Sequence, residues 1–153
     1  MNRATQQTAT AQKPDSRGAQ TADLSATAPP EPALPKALVQ NALAAMNYVV
    51  KDMPSYLFGL ERQEYIANKL QSIDERAIQV IRQFYEAIVL RMRKIDASDI
   101  DLGSYGARGH IWFRVHGTKT PQLDLPEIPT LLTDVMIQGL VTVKQRDVLL
   151  EKR

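Results

Sequence analysis

Apolar residues recur every three or four positions from Pro35 onward, which predicts a series of helices. The first helix begins at Pro35 and ends before Pro54, because proline suits the first turn of a helix and interrupts its interior. Its apolar positions are Leu38, Ala42, Ala45, Met46, Val49 and Met53. A short apolar linker at 56–59 leads to a second helix over 61–71. The inward residues predicted for this second helix are Leu60, Ile66, Ala67 and Leu70.

The strongest amphipathic pattern covers residues 73–95. Ser72 and Glu75 have the spacing of a capping box at the start of this helix. The apolar stripe, which should face a core or a neighbouring helix, consists of Ile73, Ala77, Val80, Ile81, Phe84, Ile88, Met92 and Ile95. Arg91, Arg93 and Lys94 lie in the last turn. They either complement the negative end of the helix dipole or form a basic spot for an acidic partner.

The period of the pattern changes from about 3.6 to 2 after Asp96. Ile100 and Leu102 alternate with acidic residues, and a second alternating run covers 111–116. Because the glycine-rich segment 103–109 lies between these two runs, we predict a two-stranded antiparallel hairpin over 97–117. Residues 116–119 are predicted to form the next turn.

The register of this hairpin is restricted, because a slip of one residue would bring the apolar sides of the two strands to opposite faces. One allowed register opposes Ile100 with Phe113, Leu102 with Ile111, Asp99 with Arg114, and Asp101 with Trp112. The other face of the hairpin is then polar and carries Asp99, Asp101, Trp112, Arg114 and His116.

Helical spacing returns near the end of the chain. A helix that starts near Pro126 and stops near Gly139 places Ile128, Leu131, Leu132, Val135 and Met136 on one face. Thr142 and Gln145 have the spacing of a second capping box, before a helix that carries Val148 and Leu149. Because this helical pattern is still in progress at Arg153, we expect the sequence to be a piece of a longer protein.

Residues 1–34 consist mainly of Ala, Thr, Gln, Ser and Pro without periodicity. Such a segment buries too little apolar surface to offset the entropy of ordering, so we predict a disordered leader with a stiffer, proline-rich end. A partner-docking tail and an organelle transit peptide are the functional alternatives. The predicted organisation is a leader over 1–34, a helical extension over 35–71 and an α+β domain over 72–153, in which helices pack on a small antiparallel sheet.

Composition excludes several functions. The 153 residues include no cysteine, which rules out disulfides, thiolate zinc sites and a cysteine nucleophile, and suits a reducing cytoplasm. The net charge of +2 provides little attraction to nucleic acid. No apolar run approaches the roughly 20 residues that cross a bilayer, and no signal-peptide core is present. The sequence contains neither a Walker A loop nor a nucleophile elbow, so we predict no complete catalytic site.

The polar hairpin face and its loop contain residue types that bind metals, phosphates or bases. The metal-ligand types are Asp99, Asp101, His110 and His116. No close pair of ligands supports a metal site, and exposed polar strand faces are common. A strand follows the glycine-rich loop, whereas a phosphate loop needs a helix N-terminus there. The residue types that could stack on a base are Tyr105, Trp112 and Arg114. For the aromatic residues, packing is the commoner role.

Three segments together resemble the N-terminal domain of secretion and type IV pilus ATPases of the GspE/PilT type. Segment 97–103, Ala-Ser-Asp-Ile-Asp-Leu-Gly, resembles the family's Ala-Ser-Asp-Ile/Leu-His strand, which follows a helix. Segment 111–117, Ile-Trp-Phe-Arg-Val-His-Gly, resembles its next strand, which ends in Arg-Ile/Val-Asp/Asn-Gly. A helix and a segment like 142–146, Thr-Val-Lys-Gln-Arg, then follow. The resemblance covers about 84–151, and the chain departs from the family's pattern at Asp101 and His116.

This resemblance implies a PAS-like α+β domain, incomplete in this sequence, with an assembly and regulatory role in a cytoplasmic, hexameric ATPase. Such motors power type IV pilus retraction (twitching motility), pilus assembly or secretion. The family's ATPase domain is absent from this sequence, so ATP and magnesium would belong to the parent protein. Arg114 matches a strand position from which arginines approach the nucleotide at a subunit interface; its alternative role is that of a solvated cross-strand partner. The residues implied at the interface between subunits are Asp99, Asp101, Trp112 and His116.

Two other functions stay open at this point. A stand-alone interaction module would dock a protein partner through the helix at 73–95. A nucleic-acid-binding hairpin would use Arg108, Trp112 and Arg114, and its binding would weaken with salt. Because the net charge is low, we expect no nucleic-acid binding, and because no apolar run is long enough to cross a bilayer, we expect no membrane insertion.

Overall fold

The computed structural model describes residues 33–103 and 108–151. The elements are, in chain order, α1 (Lys36–Val50), α2 (Gly59–Ser72), α3 (Glu75–Lys94), β1 (Ala97–Asp101), β2 (Trp112–Val115), β3 (Thr118–Pro121), α4 (Thr130–Leu140) and α5 (Val143–Glu151). The α+β class is confirmed, because the helices accompany a three-stranded antiparallel sheet of order β1-β2-β3. Nearly all of the predicted leader, and Tyr105 in the glycine-rich loop, lie outside the described residues.

In the described part of the chain, one hydrophobic core joins α1, α2, α3 and α4 to one face of the sheet. Its fully buried members include Met46 of α1, Leu70 of α2, Phe84 of α3, Phe113 of β2 and Met136 of α4. Both α1 and α4 pack against α3, which contributes its apolar stripe. All residues of the stripe predicted from the sequence except Ala77 therefore belong to the core or pack against it. A protein partner that docks on α3 would contact the polar side of this helix, because α1 and α4 already cover its apolar side.

The start of α3 corrects a prediction, because Ser72 and Glu75 do not form a capping box. Ser72 is the last residue of α2, and its hydroxyl donates a hydrogen bond to the Lys69 carbonyl oxygen at 2.8 Å. Ile73 adopts an extended backbone that separates the two helices. Asp74 is the N-cap of α3, since its Oδ1 accepts a hydrogen bond from the Arg76 backbone N–H at 2.8 Å. The sequence offers serine and aspartate, both good caps, and the extended residue between them selects Asp74.

Replacing Asp74 with alanine should lower the free energy of unfolding by about 1 kcal/mol, because the N–H of Arg76 loses its acceptor. Ser72→Ala is the matched control and should change the free energy of unfolding by under about 0.5 kcal/mol. Urea unfolding followed by circular dichroism measures both values. Equal losses in the two variants would contradict the assignment of Asp74 as the cap.

The second capping box is confirmed at the start of α5. The Gln145 N–H donates to the Thr142 hydroxyl oxygen at 3.3 Å, and the Thr142 N–H donates to the Gln145 Oε1 at 2.9 Å.

The helix α4 begins at Thr130 rather than near Pro126. The residues before Thr130 pair instead with the connection before β2, where the Ile128 N–H donates to the Gly109 carbonyl oxygen at 2.6 Å.

Gly139 does not stop α4, which continues to Leu140. The absence of a side chain at this buried glycine instead allows α3 to approach closely. A Cβ added to Gly139 would lie 3.3 Å from Cγ2 of Ile81. The glycine is therefore explained by helix packing, whereas the sequence suggested a helix end.

Candidate functional site

The sheet has a buried inner face and a charged outer face. Three of the four predicted pairs are confirmed: Ile100 with Phe113, Asp99 with Arg114, and Asp101 with Trp112. The fourth pair, Leu102 with Ile111, lies beyond the ends of the strands. Because side chains alternate along a strand, the pair of Ile100 and Phe113 faces the core and the other two pairs face away from it.

A bulge in β1 separates a core residue from the outer face. In a regular strand, Ala97 and Asp99 would point to the same side. The register shifts between these two residues, so that Ala97 pairs with Val115 while Asp99 pairs with Arg114. Ala97 is therefore buried while Asp99 is exposed. Bulges re-aim side chains in this way, and this one turns Ala97 toward the core.

A third strand, which no apolar pattern in the sequence predicts, completes this face. β3 follows β2 through the two-residue turn His116–Gly117 and sets Lys119 opposite Arg114. The φ angles of His116 and Gly117 are 47° and 83°, as in the type I′ turns that join adjacent antiparallel strands. We use the term outer face for Asp99, Asp101, Trp112, Arg114 and Lys119.

His116 does not lie on the outer face, so its predicted position there is wrong. The alternating pattern continues through position 116, but β2 ends at Val115 and the imidazole belongs to the exposed turn. The sequence predicts a turn over 116–119, whereas the turn in the structure is limited to His116 and Gly117, so that Lys119 belongs to β3. The signal that could have found Lys119 is the His-Gly dipeptide directly after an alternating run, since glycine readily adopts the positive φ that such a turn requires.

Arg114 is held in a defined orientation on the outer face. Its Nε lies 3.3 Å from Oδ2 of Asp99, and its Nη1 donates to the Gly117 carbonyl oxygen at 3.0 Å. The Ser98 hydroxyl donates to the same Asp99 oxygen at 2.7 Å. The side chains of Arg114 and Asp99 are 45% and 64% exposed, so the ion pair contributes under about 1 kcal/mol to stability. The pair orients the guanidinium and leaves it accessible to an approaching anion.

Lys119 forms the second ion pair of this face. Its Nζ donates to Oδ2 of Asp101 and lies 5.5 Å from the centroid of the Trp112 ring. Directly opposite Lys119 is Arg114, and two like charges at such a position repel each other. Lys119 instead extends across β2 and forms an ion pair with Asp101, which has the opposite charge. The outer face therefore contains two acidic and two basic side chains, each in an ion pair.

Other candidate residues are located away from this face. His110 precedes β2, where its Nδ1 lies 3.6 Å from Oε1 of Glu127. Arg108 is exposed in the loop before it. Arg91 pairs with Asp124 at 2.5 Å, so one of the three basic residues at the end of α3 tethers the segment after β3. Within residues 33–103 and 108–151, no three His, Asp or Glu side chains lie close enough together to hold a metal ion.

Comparison of the chain with protein-family models, with curated proteins and with solved structures gives no match. No helix in the described part of the chain is long and apolar enough to cross a membrane.

Proposed function

We propose that residues 72–153 are the N-terminal assembly and regulatory domain of a hexameric ATPase that powers type IV pilus retraction or assembly, or secretion. The observation that carries this proposal is the order of the elements around the outer face. α3 leads into the Ala-Ser-Asp-Ile strand, and β2 ends with Arg-Val before a His-Gly turn. β3 follows, then α4, and then the capped Thr-Val-Lys-Gln-Arg start of α5. Apart from β3, this is the order of elements in the sequence resemblance.

In this proposal the outer face contacts a neighbouring subunit. Arg114 extends toward the nucleotide bound by that neighbour. Asp99, Asp101 and Trp112 belong to the same contact, together with His116 from the adjoining turn. The support is geometric: a guanidinium fixed by Asp99 and by the Gly117 carbonyl is already oriented, which reduces the entropy lost when it meets a phosphate. The ATPase domain of the parent protein would hold ATP and magnesium, and this chain alone would hydrolyse no ATP.

The proposal also includes a PAS-like sheet and a cytoplasmic location for the parent protein. Further strands of a PAS-like sheet would follow α5 in the parent protein, which would work in the cytoplasm beside pilus or secretion proteins. Where the family has a histidine, Asp101 forms an ion pair with Lys119. In this chain, an ion pair across the three strands would therefore take the place of that histidine at the subunit contact.

ATP hydrolysis by the product of the whole gene tests the proposal. Arg114→Ala should lower kcat by about tenfold or more, because it removes a positive charge near the transferred phosphoryl group. Arg93→Ala is the matched control, since Arg93 is exposed at the end of α3 and should leave kcat unchanged. Unchanged hydrolysis in Arg114→Ala, or an equal loss in both variants, would contradict the assigned role.

A further inference from the structure

The exposed aromatic residues of the described chain are concentrated in one short segment. Tyr48, Tyr56 and Phe58 are 62%, 71% and 71% exposed, and Leu60 beside them is also exposed. The other described aromatic residues are buried or half-buried: Tyr65, Phe84, Tyr85, Trp112 and Phe113. Single apolar residues on a surface are ordinary, whereas such a concentration marks interaction sites. We name Tyr48, Tyr56, Phe58 and Leu60 the aromatic patch.

The backbone holds this patch toward the solvent. Tyr56 and Phe58 belong to the connection between α1 and α2, where Met53 and Leu57 are half-buried. The Met53 N–H donates to the Val50 carbonyl oxygen at 3.1 Å, and the Leu57 N–H donates to the Pro54 carbonyl oxygen at 3.2 Å. These bonds close two turns that direct the aliphatic residues inward. The rings therefore extend outward from an ordered connection, which lowers the entropic cost of binding through them.

The size of the patch fits the centre of a protein interface. An aromatic side chain has about 150–250 Å² of surface, of which about two thirds is exposed at these three positions. Together with Leu60, the exposed parts of these side chains sum to roughly 400 Å², which lies within the range of the largest apolar patch of an ordinary monomer. Two such patches facing each other would bury about 800 Å², and a polar rim would extend this toward the roughly 1,200 Å² of a specific complex.

The charges beside the patch favour a second copy of the chain as its partner. Lys51 and Asp52 are both exposed, and they lie in the chain between Tyr48 and Tyr56. In a two-fold contact the same surface meets itself, so that Lys51 of one copy can approach Asp52 of the other. The two charges cancel within one copy, so this rim provides no net attraction for the anionic headgroups of a membrane.

We propose that the aromatic patch is a homodimer interface, in which a second copy of this chain covers Tyr48, Tyr56, Phe58 and Leu60 about a two-fold axis. This interface is separate from the outer face of the sheet. It lies in the helical extension 35–71, before the part of the chain on which the motor function rests. Failure of one proposal therefore leaves the other standing.

Sedimentation equilibrium of the 153-residue chain tests the interface. The chain should form a reversible dimer, and Tyr56→Ser with Phe58→Ser should raise the dimer dissociation constant by about tenfold or more. Leu123→Ser is the matched control, because Leu123 is an equally exposed apolar residue at 75% and lies elsewhere in the chain. A chain that stays monomeric at millimolar concentration, or a control that weakens the dimer equally, would overturn the proposal.

Cross-linking provides a second measurement, since the sequence contains no cysteine. Tyr56→Cys should yield dimers with a short bis-maleimide reagent, whereas Leu123→Cys should not. Dimers from both variants, or from neither, would overturn the proposed interface. Binding of a monomeric chain to phosphatidylcholine vesicles, lost on replacing Tyr56 and Phe58 with serine, would overturn it in favour of a lipid surface.

Discussion

Replacing Gly103 with alanine should lower the free energy of unfolding by about 3 kcal/mol or more, the largest effect expected for a single methyl group in this chain. Gly103 follows β1 with a φ of +65°, a conformation that costs a residue with a side chain about 1–2 kcal/mol. An added Cβ would also lie 2.6 Å from Cβ of Thr133. Because that atom is attached directly to the backbone of α4, no change of rotamer moves it away. Relieving the overlap requires β1 and α4 to separate.

Gly59→Ala is the matched control for this effect. Gly59 has a similar φ of +52°, but an added Cβ would meet no atom within 4 Å. It should therefore cost only the conformational penalty of about 1–2 kcal/mol. Urea unfolding of both variants isolates the steric part as their difference. The close approach of Gly103 to α4 is also seen in the hydrogen bond that the Thr130 hydroxyl donates to the Gly103 carbonyl oxygen at 2.7 Å. Equal losses of stability in the two variants would contradict this close approach.

Phe113→Ala should lower the free energy of unfolding by about 3–5 kcal/mol, because it leaves a cavity where the sheet meets the helices. Phe113 is fully buried in the central strand, opposite Ile100. Phe58→Ala makes the same chemical change at a residue that is 71% exposed, and at concentrations where the chain is monomeric it should cost under about 1 kcal/mol. Thermal unfolding followed by Trp112 fluorescence measures both variants close to the outer face. A loss below about 1 kcal/mol for Phe113→Ala would contradict its place in the core.

The parity of apolar positions was enough to predict which faces of β1 and β2 come together, and it allowed the observed register among others. Ile100 and Phe113 can share a buried face only if even-numbered residues of β1 oppose odd-numbered residues of β2. Asp99 must then oppose an even-numbered residue, and in the structure that residue is Arg114. The Thr142 and Gln145 cap was predictable for a similar reason. Both features depend on residues close in sequence or on a strict period of two, so local chemistry determines them.

The position of Lys119 on the outer face was not predictable by the same means, because buried apolar residues do not alternate with exposed ones along β3. All of its side chains except that of Pro121 are exposed, so no apolar pattern marks the strand. The role of Gly103 also escapes the sequence, since Thr133 approaches it from an element 30 residues away in the chain. Contacts of this kind depend on how α4 packs, and a one-dimensional pattern contains no information on that packing.

The outer face illustrates the same division between local pattern and tertiary contact. Asp99, Asp101, Trp112 and Arg114 are where the alternation predicts them, whereas His116 belongs to the turn. The Arg114 side chain is oriented by the Gly117 carbonyl as well as by Asp99, and the turn contact depends on a type I′ geometry. The sequence therefore predicts which residues form most of the face, and the turn determines how its arginine is held.

The central proposal is that residues 72–153 form the N-terminal domain of a motor ATPase, and the coding sequence that follows codon 153 tests it most directly. We expect the reading frame to continue through further strands into an ATPase domain with a Gly-x-x-x-x-Gly-Lys-Ser/Thr loop. Nucleotide sequencing of the complete gene is the measurement. A stop codon directly after Arg153, or a continuing frame without such a loop, would contradict the claim.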